Sequence, residues 1–146
     1  MSLHDLQLAV VDLETSSLDP STGNILQVAV VGCDTDGRET STWCTDVRPR
    51  WWPFTSVGPT EVHGITRRRL RTAPNLREAL EGLVQRIDGR VFVAHNAEFD
   101  LGYVQHHAAR LGIPLPDVPV ISTLSLSRHV NRETGLSHRL ADVCAR

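Results

Sequence analysis

With 146 residues, the chain is long enough for one domain and too short for two of ordinary size. Its apolar fraction of 40% and charged fraction of 22% argue against wholesale disorder, and no apolar run approaches the roughly 18 residues of a membrane span. The net charge of −2 excludes a generally basic nucleic-acid coat, although an enzyme that holds phosphates through metal ions needs only local basic surface. Three cysteines without a C-x-x-C pair predict reduced thiols and a cytoplasmic location.

The first third of the chain has the pattern of three short strands. Apolar, β-branched runs predict strands at residues 6–11 and 25–31, and a hairpin turn at 34–37 leads into a third strand at about 39–47. Residues 48–60, which contain Pro and Trp, are predicted to form a loop. Three consecutive strands joined by short turns predict an antiparallel meander.

Helical periodicity dominates the rest of the chain. The apolar stripe of the first predicted helix is Leu76, Leu80, Leu83, Val84 and Ile87, and that of the second is Leu101, Val104, Ala108 and Leu111. A strand is predicted between them at 91–94 and an edge strand at 119–123, with helical stretches from about Leu124 and from Ser137 to the end. The order β-β-β-α-β-α-β-α predicts an α/β fold, a mixed sheet flanked by helices in a single domain over residues 1–146.

Two acidic residues follow the first apolar run, in the segment Val-Val-Asp-Leu-Glu-Thr. Side chains at positions i and i+2 of a strand project to the same face, so Asp12 and Glu14 are predicted to lie side by side. Their like charges repel unless a cation lies between them, and Mg²⁺ or Mn²⁺ is the natural partner of carboxylate oxygens. Taken alone, the pair also fits a solvated strand end that leads into a turn.

A third carboxylate, Asp100, belongs to the segment His-Asn-Ala-Glu-Phe-Asp at 95–100. It falls in the first turn of a predicted helix, where the helix dipole favours a negative charge. Ordinary capping by Asn96 explains this segment equally well when it is considered alone. The segment Val-His-Gly-Ile-Thr at 62–66 places His63 in a glycine-containing turn, and an isolated histidine is more often structural than functional.

Considered together, these three segments resemble the DnaQ-like, DEDD-type 3′–5′ exonuclease family. Asp-Leu-Glu-Thr, then Val-His-Gly-Ile-Thr about fifty residues later, then His-Asn-Ala-Glu-Phe-Asp occur in that family's order, and the last string is the most specific. The resemblance runs from about residue 6 to the last residue. It implies a ribonuclease-H-like fold, in agreement with the element order, two divalent metal ions and hydrolysis of a 3′-terminal phosphodiester.

The resemblance also implies roles for individual residues. The residues that would act in catalysis as metal ligands are Asp12, Glu14 and Asp100. The residues that would contact the substrate are Thr15, through its backbone near the terminal sugar, His63 against the terminal nucleotide, and Asn96 and Phe99 along the strand's path.

The chain departs from the family pattern at two places. Thr15 is followed by Ser16 and Ser17 where the family often has Thr-Gly, which questions the close backbone approach that glycine permits. The family's last motif, a His followed five positions later by an Asp, is not found; His138 and Asp142 are four apart and resemble the preceding helix instead. We therefore expect residues 1–146 to lack the general base and the fourth metal carboxylate.

Three functions follow from this pattern. The first is a DNA exonuclease, either a proofreading subunit that partners a DNA polymerase or a free-standing repair enzyme that acts on single-stranded or frayed 3′ ends. The second is an oligoribonuclease-type enzyme that trims RNA, because recognition of a 2′-OH has no short motif. The third is a catalytically silent domain that binds nucleic acid or a polymerase, since the last motif is missing.

Overall fold

A computed structural model describes residues 6–50, 53–132 and 135–145. Five strands form one mixed sheet in this part of the chain: β1 (Leu8–Thr15), β2 (Ile25–Cys33), β3 (Glu39–Asp46), β4 (Val91–Ala94) and β5 (Val120–Ser122). The strand order is β3-β2-β1-β4-β5, antiparallel from β3 to β1 and parallel from β1 to β5. The predicted meander followed by β/α units is confirmed.

Six helices accompany the sheet in the described ranges: α1 (Thr60–His63), α2 (Arg67–Leu70), α3 (Leu76–Ile87), α4 (Ala97–Leu111), α5 (Thr123–Val130) and α6 (Leu140–Cys144). The predicted stripes of α3 and α4 form the core: Leu80, Leu83 and Val104 are fully buried against the sheet. Replacing one of these leucines by Ala would typically cost about 2–5 kcal/mol of stability. None of the helices is both long and apolar enough to cross a membrane, as far as the described residues go.

The boundaries differ from the sequence-based expectations at several elements. β1 continues to Thr15 because its backbone stays paired with β2 as far as Ile25. The short helices α1 and α2 were not predicted, because four-residue helices have no room for an apolar period. The last helix begins at Leu140 rather than at Ser137, whose side chain donates to Asp142 and accepts from the Arg139 N–H just ahead of the first turn.

The start of α4 corrects another expectation. Asn96 occupies the N-cap position, but its side chain makes no capping hydrogen bond. The Asn96 carbonyl instead accepts from the N–H groups of Phe99 and Asp100. The cap is therefore a backbone feature, and the Asn96 side chain remains exposed to solvent.

Candidate active site

The three predicted carboxylates meet at one edge of the central strand. The parallel pairing of β1 with β4 stops at Val10, so beyond that residue the backbone of β1 has no strand on this side. Asp100, in the first turn of α4, occupies this edge, and its Oδ1 accepts from the Leu13 N–H at 3.2 Å. Leu13 lies between Asp12 and Glu14, so the hydrogen bond anchors the third carboxylate to the backbone that carries the other two.

Burial raises the pKa of all three carboxylates, and the charge of Asp12 raises the pKa of the other two further. Burial, and then the charge of Asp12, raises the pKa of Asp100 from 3.8 to about 6, against the opposing effect of the Leu13 N–H. Burial also raises the pKa of Asp12, although its side chain still reaches solvent. The pKa of Glu14 is raised by burial and by Asp12, while His63 acts in the opposite direction. Such mutual repulsion in a partly buried cluster is relieved when a cation binds.

The donor set fits a hard divalent cation in its chemistry, since all three side chains offer carboxylate oxygens. The side-chain positions themselves are not those of an assembled metal site. In the described ranges, no group of three or more His, Cys, Asp or Glu side chains is arranged so that it could hold an ion as it stands. An ion held by all three carboxylates at once therefore requires their side chains to reorient.

Next to the carboxylates is a cavity of about 250 Å³ that unites residues from all three motifs. Four of its lining residues were singled out from the sequence: Glu14, Thr15, His63 and Phe99. Pro59, Val62 and Leu18 add apolar wall that the sequence did not single out, because nothing in a local pattern shows that these loops converge. Asn96 is not among the lining residues, so the structure does not bring it to this cavity.

His63 has hydrogen bonds within its own loop and also lines the cavity. Its Nδ1 accepts from the Ile65 N–H at 3.0 Å, so the proton of a neutral ring is on Nε2, which donates to the Val57 carbonyl at 2.9 Å. Both nitrogens are thus engaged, one with the turn after α1 and the other with Val57 in the segment before α1. What the ring offers to the cavity is its surface, which suits packing against a nucleotide rather than proton transfer.

Phe99 likewise has two environments. It lines the cavity, and its ring also packs on Tyr103 of the next helical turn, with centroids 5.1 Å apart. The hydroxyl of the fully buried Tyr103 donates to the Ser17 carbonyl at 2.6 Å. Tyr103 therefore links α4 to the loop after β1, a contact that the sequence analysis did not predict.

A close backbone approach does occur at Ser16, but the glycine that permits it is Gly58 rather than the glycine of the family pattern. Gly58, with φ of +72°, presents its Cα to the Ser16 backbone so closely that a Cβ there would collide with the Ser16 carbonyl. Ser16 is itself fixed, because its N–H donates to the Asn24 carbonyl and its Oγ accepts from the Asn24 N–H, both at 2.9 Å. The Thr-Ser-Ser sequence is thus compatible with a tight loop here.

His138 and Asp142 do not join the carboxylates. The Nδ1 of His138 lies 3.0 Å from the Ser127 Oγ, and its carbonyl accepts from His95 Nε2 at 3.0 Å. Asp142 accepts from Ser137 at the start of α6. Both residues hold the C-terminal segment in place, as expected from a spacing that does not fit the family's last motif.

The family of this chain is shown by a family model and by the sequences of its relatives. The exonuclease family RNase T matches residues 9–146, which is nearly the whole chain. The chain belongs to this exonuclease family. The resemblance to DnaQ-like 3′–5′ exonucleases is thereby confirmed, and so is the ribonuclease-H-like architecture of a mixed sheet flanked by helices.

Individual relatives of this exonuclease-family domain are longer proteins. It is 31% identical over 125 residues to the 3′-5′ exonuclease DinG of Bacillus subtilis, covering 85% of this chain and 13% of that protein. It is 34% identical over 145 residues to a DNA polymerase III subunit epsilon-like protein of Rhodobacter capsulatus, covering 94% and 20%. The zinc-ion-bound E. coli ExoI–ssDNA complex shares the fold, with a TM-score of 0.80 at 15% identity over 97% of this chain and 35% of that one.

Proposed function

We propose that this domain is a divalent-metal-dependent 3′–5′ exonuclease that hydrolyses the terminal phosphodiester of DNA and releases nucleoside monophosphates. Family membership supports the class of reaction. The observation that carries the proposal is the hydrogen bond from the Leu13 N–H to Asp100. It joins carboxylates from two distant motifs at one strand edge, beside a cavity lined by Glu14, His63 and Phe99.

In this proposal one group of residues binds the metal ions and another group contacts the substrate. Two Mg²⁺ or Mn²⁺ ions held by Asp12, Glu14 and Asp100 would activate a water and stabilise the leaving oxygen. Of the three carboxylates only Glu14 lines the cavity, which makes it the one closest to the substrate's end. The rings of His63 and Phe99 offer surfaces on which a sugar or base can pack, and such contacts tolerate any sequence.

DNA is the substrate that the relatives favour. The relatives' names include a DNA polymerase III epsilon-like protein, and the structural relative is a complex with single-stranded DNA. A single-stranded or frayed 3′ end and a polymerase partner are therefore part of this proposal, while RNA trimming and silent binding are its competitors. The cytoplasmic location stays a prediction; Cys33, Cys44 and Cys144 are free thiols.

The test measures metal binding and nucleotide release together. We expect the wild-type chain to bind Mn²⁺ in titration calorimetry and to release mononucleotides from a 3′-labelled DNA strand, and the Asp12→Asn, Asp100→Asn double variant to do neither. The matched control is Asp88→Asn with Asp117→Asn, which removes two charges from exposed positions. Equal Mn²⁺ binding by wild type and the Asp12/Asp100 variant would refute the site.

The substrate is decided by a parallel assay. RNA and DNA strands of the same sequence are offered to the metal-loaded chain, and release from RNA alone would favour the oligoribonuclease-type function. Binding of DNA without any release at saturating Mn²⁺ would favour a silent binding domain.

A further inference from the structure

Strand β2 contains an irregularity beside the site. The pairing with β1 joins Glu14 to Gln27 and Thr15 to Ile25, so Leu26 is an extra residue of β2 without a partner in β1. Such bulges re-aim a side chain, and they are frequent next to active sites. Leu26 is fully buried in a small second core, apart from the main one, whose other members are Val57, Ile65 and Leu70. The bulge therefore provides the sheet with an anchor for the segment that contains α1 and α2.

The second core determines where His63 lies. The ring donates to the carbonyl of Val57 and accepts from the N–H of Ile65, and both of these residues belong to the second core. Leu70, the last residue of α2, is the member that brings this helix into the same unit. The distance of His63 from Glu14 therefore depends on how the second core is attached to the sheet.

A polar contact attaches the same unit to the sheet a second time. Arg69, beside Leu70 in α2, donates from Nε to Asp46 Oδ2 at 2.6 Å and from Nη2 to Asp46 Oδ1 at 2.7 Å. Gln27 Nε2 adds a third hydrogen bond, to Asp46 Oδ1, at 2.8 Å. Only 19% of the Asp46 side chain is exposed. A bidentate pair within such a network restrains structure, unlike an isolated ion pair on the surface.

The acceptor of this ion pair lies in one row with the site. Gln27 is paired with Glu14 of β1 on one side and with Asp46 of β3 on the other. Directly paired residues project to the same face of a sheet, so Glu14 and Asp46 are roughly 10 Å apart across β2. The row thus connects Glu14, which lines the cavity, to the arginine that holds the segment carrying His63, which lines it as well.

We propose that Arg69 is a positioning residue: its bidentate ion pair with Asp46 fixes His63 at the distance from Glu14 that the terminal nucleotide of the substrate requires. The inference rests on the proposed exonuclease function, because it assigns the cavity at Glu14 to that nucleotide. Arg69 does not itself line the cavity. It therefore acts on binding of the substrate's end, through His63, and not on the reacting atoms.

The first measurement needs no activity. Amide hydrogen exchange is followed at Ile65, whose N–H donates to His63, in the wild type, in Arg69→Gln and in Asp46→Asn. Exchange should become about tenfold faster in both variants, because the turn that holds the ring opens more often. Leu83 of the main core should exchange at the wild-type rate, which shows that the change is local. Wild-type exchange at Ile65 in both variants would overturn the proposal.

The matched control is Arg68→Gln. Arg68 is an exposed arginine of the same helix, and its guanidinium has no hydrogen-bond or ion-pair partner within the described ranges. The control loses the same charge as Arg69→Gln without losing a contact. Exchange at Ile65 should therefore stay at the wild-type rate.

The second measurement is hydrolysis of a 3′-labelled DNA strand at saturating Mn²⁺. When chemistry is slow, KM approaches the dissociation constant and reports the fit of the substrate's end. Charge alone would raise KM in Arg69→Gln and lower it in Asp46→Asn, since DNA is an anion. Loss of positioning instead raises KM about threefold to tenfold in both, with little change in kcat. The control Arg68→Gln shows how much of the rise in Arg69→Gln is due to charge.

Several outcomes would contradict this inference. A lower KM in Asp46→Asn means that charge governs binding, and an equal rise in Arg68→Gln and Arg69→Gln means the same. A loss confined to kcat indicates a smaller folded fraction, and a loss of Mn²⁺ binding in calorimetry places the effect at the metal. If the wild-type chain releases no nucleotide, the proposed function fails together with the role toward the nucleotide, whereas the exchange rates still decide whether Arg69 holds His63.

Discussion

Asp100 shows how one side chain can serve both the fold and the proposed chemistry. It is 6% exposed, and its Oδ1 satisfies a strand N–H that no neighbouring strand reaches. The same burial, together with Asp12, raises its pKa to about 6, so ionising this carboxyl costs more free energy in the folded chain than in the unfolded one. The hydrogen bond stabilises the fold, whereas the charge serves the site and opposes folding.

These two contributions can be separated by substitution. Asp100→Asn keeps an oxygen acceptor for the Leu13 N–H and removes the charge, so we expect stability equal to or above that of the wild type without metal. Asp100→Ala leaves the N–H unpaired in a buried position, which typically costs about 1–3 kcal/mol. Urea unfolding in EDTA measures both. An equal loss in the two variants would show that the hydrogen bond to Leu13 contributes nothing.

Gly58 provides a second prediction at the scale of one residue. Gly58→Ala should destabilise the chain through the strained positive φ and also through the collision with Ser16. Gly37 has a similar φ of +79° with open space around it, so Gly37→Ala carries the backbone strain alone, about 1–2 kcal/mol. Thermal unfolding should rank Gly58→Ala clearly below Gly37→Ala. Equal losses would mean that the loop around Ser16 adjusts freely.

At the scale of whole elements, side chains in and just after the last motif connect the strands and helices around the site. His95, directly after β4, donates from Nε2 to the His138 carbonyl and lies 3.0 Å from the Thr123 hydroxyl through Nδ1. One ring thus connects the end of β4, the first residue of α5 and the segment before α6. On the other side, α4 holds the loop after β1 through Tyr103. His95, the first residue of the His-Asn-Ala-Glu-Phe-Asp segment, and Tyr103, three residues after its end, therefore connect the elements around the carboxylates.

Helix α4 also gives the chain a predicted pH dependence of stability. Burial, followed by the charges of His106 and Arg110, lowers the pKa of His107 from 6.5 to about 4. Between pH 4 and pH 6.5, His107 is therefore protonated in the unfolded chain and neutral in the folded chain. The contribution of neutral His107 to the free energy of unfolding is fully present above pH 6.5. It is lost as the pH falls towards 4, and the loss amounts to up to about 3 kcal/mol.

The measurement is the free energy of unfolding in urea at pH 7.5 and pH 4.5. The difference between these two pH values should be smaller in His107→Phe than in the wild type, because the variant has no imidazole to protonate. His129→Phe, at an exposed position on α5, is the control and should keep the wild-type difference. An unchanged pH dependence in His107→Phe would contradict the assignment.

At the scale of the whole molecule, the described residues form a cleft without an evident general base. His63 is the only described histidine that lines the cavity at the carboxylates, and both of its nitrogens are engaged. That residues 1–146 lack the family's last motif stays a prediction. The matched region spans only 13% of the DinG protein and 20% of the epsilon-like protein, so the activity of a whole protein is a separate matter.

Absence of a general base predicts slow but rescuable hydrolysis. We expect nucleotide release by these residues to be on the order of 10²–10⁴ slower than with a positioned base. Added imidazole should then accelerate release in proportion to its concentration at fixed pH, and His138→Ala should not change the rate. No acceleration by imidazole, or loss of activity in His138→Ala, would show that a base is already present.

Local patterns were sufficient for the parts of this protein that depend on neighbouring residues. The apolar run that predicted β1, the apolar stripes of α3 and α4 and the i, i+2 spacing of Asp12 and Glu14 each depend on residues within one element. The family resemblance added Asp100, Thr15, His63 and Phe99, and the structure gathers these residues around Glu14 and Leu13. Asn96 was the exception. Its side chain was expected to cap α4, but the first N–H groups of the helix are bound by the Asn96 carbonyl instead.

The sequence by itself determined the order of the elements and the chemical types at the site, because both are encoded by residues close together along the chain. Tertiary structure alone decided that β1 extends beyond its pairing with β4, so that Asp100 could accept a hydrogen bond from the unpaired N–H of Leu13. It also decided that Gly58 meets Ser16 and that Tyr103 holds Ser17. Each of these contacts joins residues more than forty positions apart, and such pairings depend on how the helices pack on the sheet rather than on any local preference.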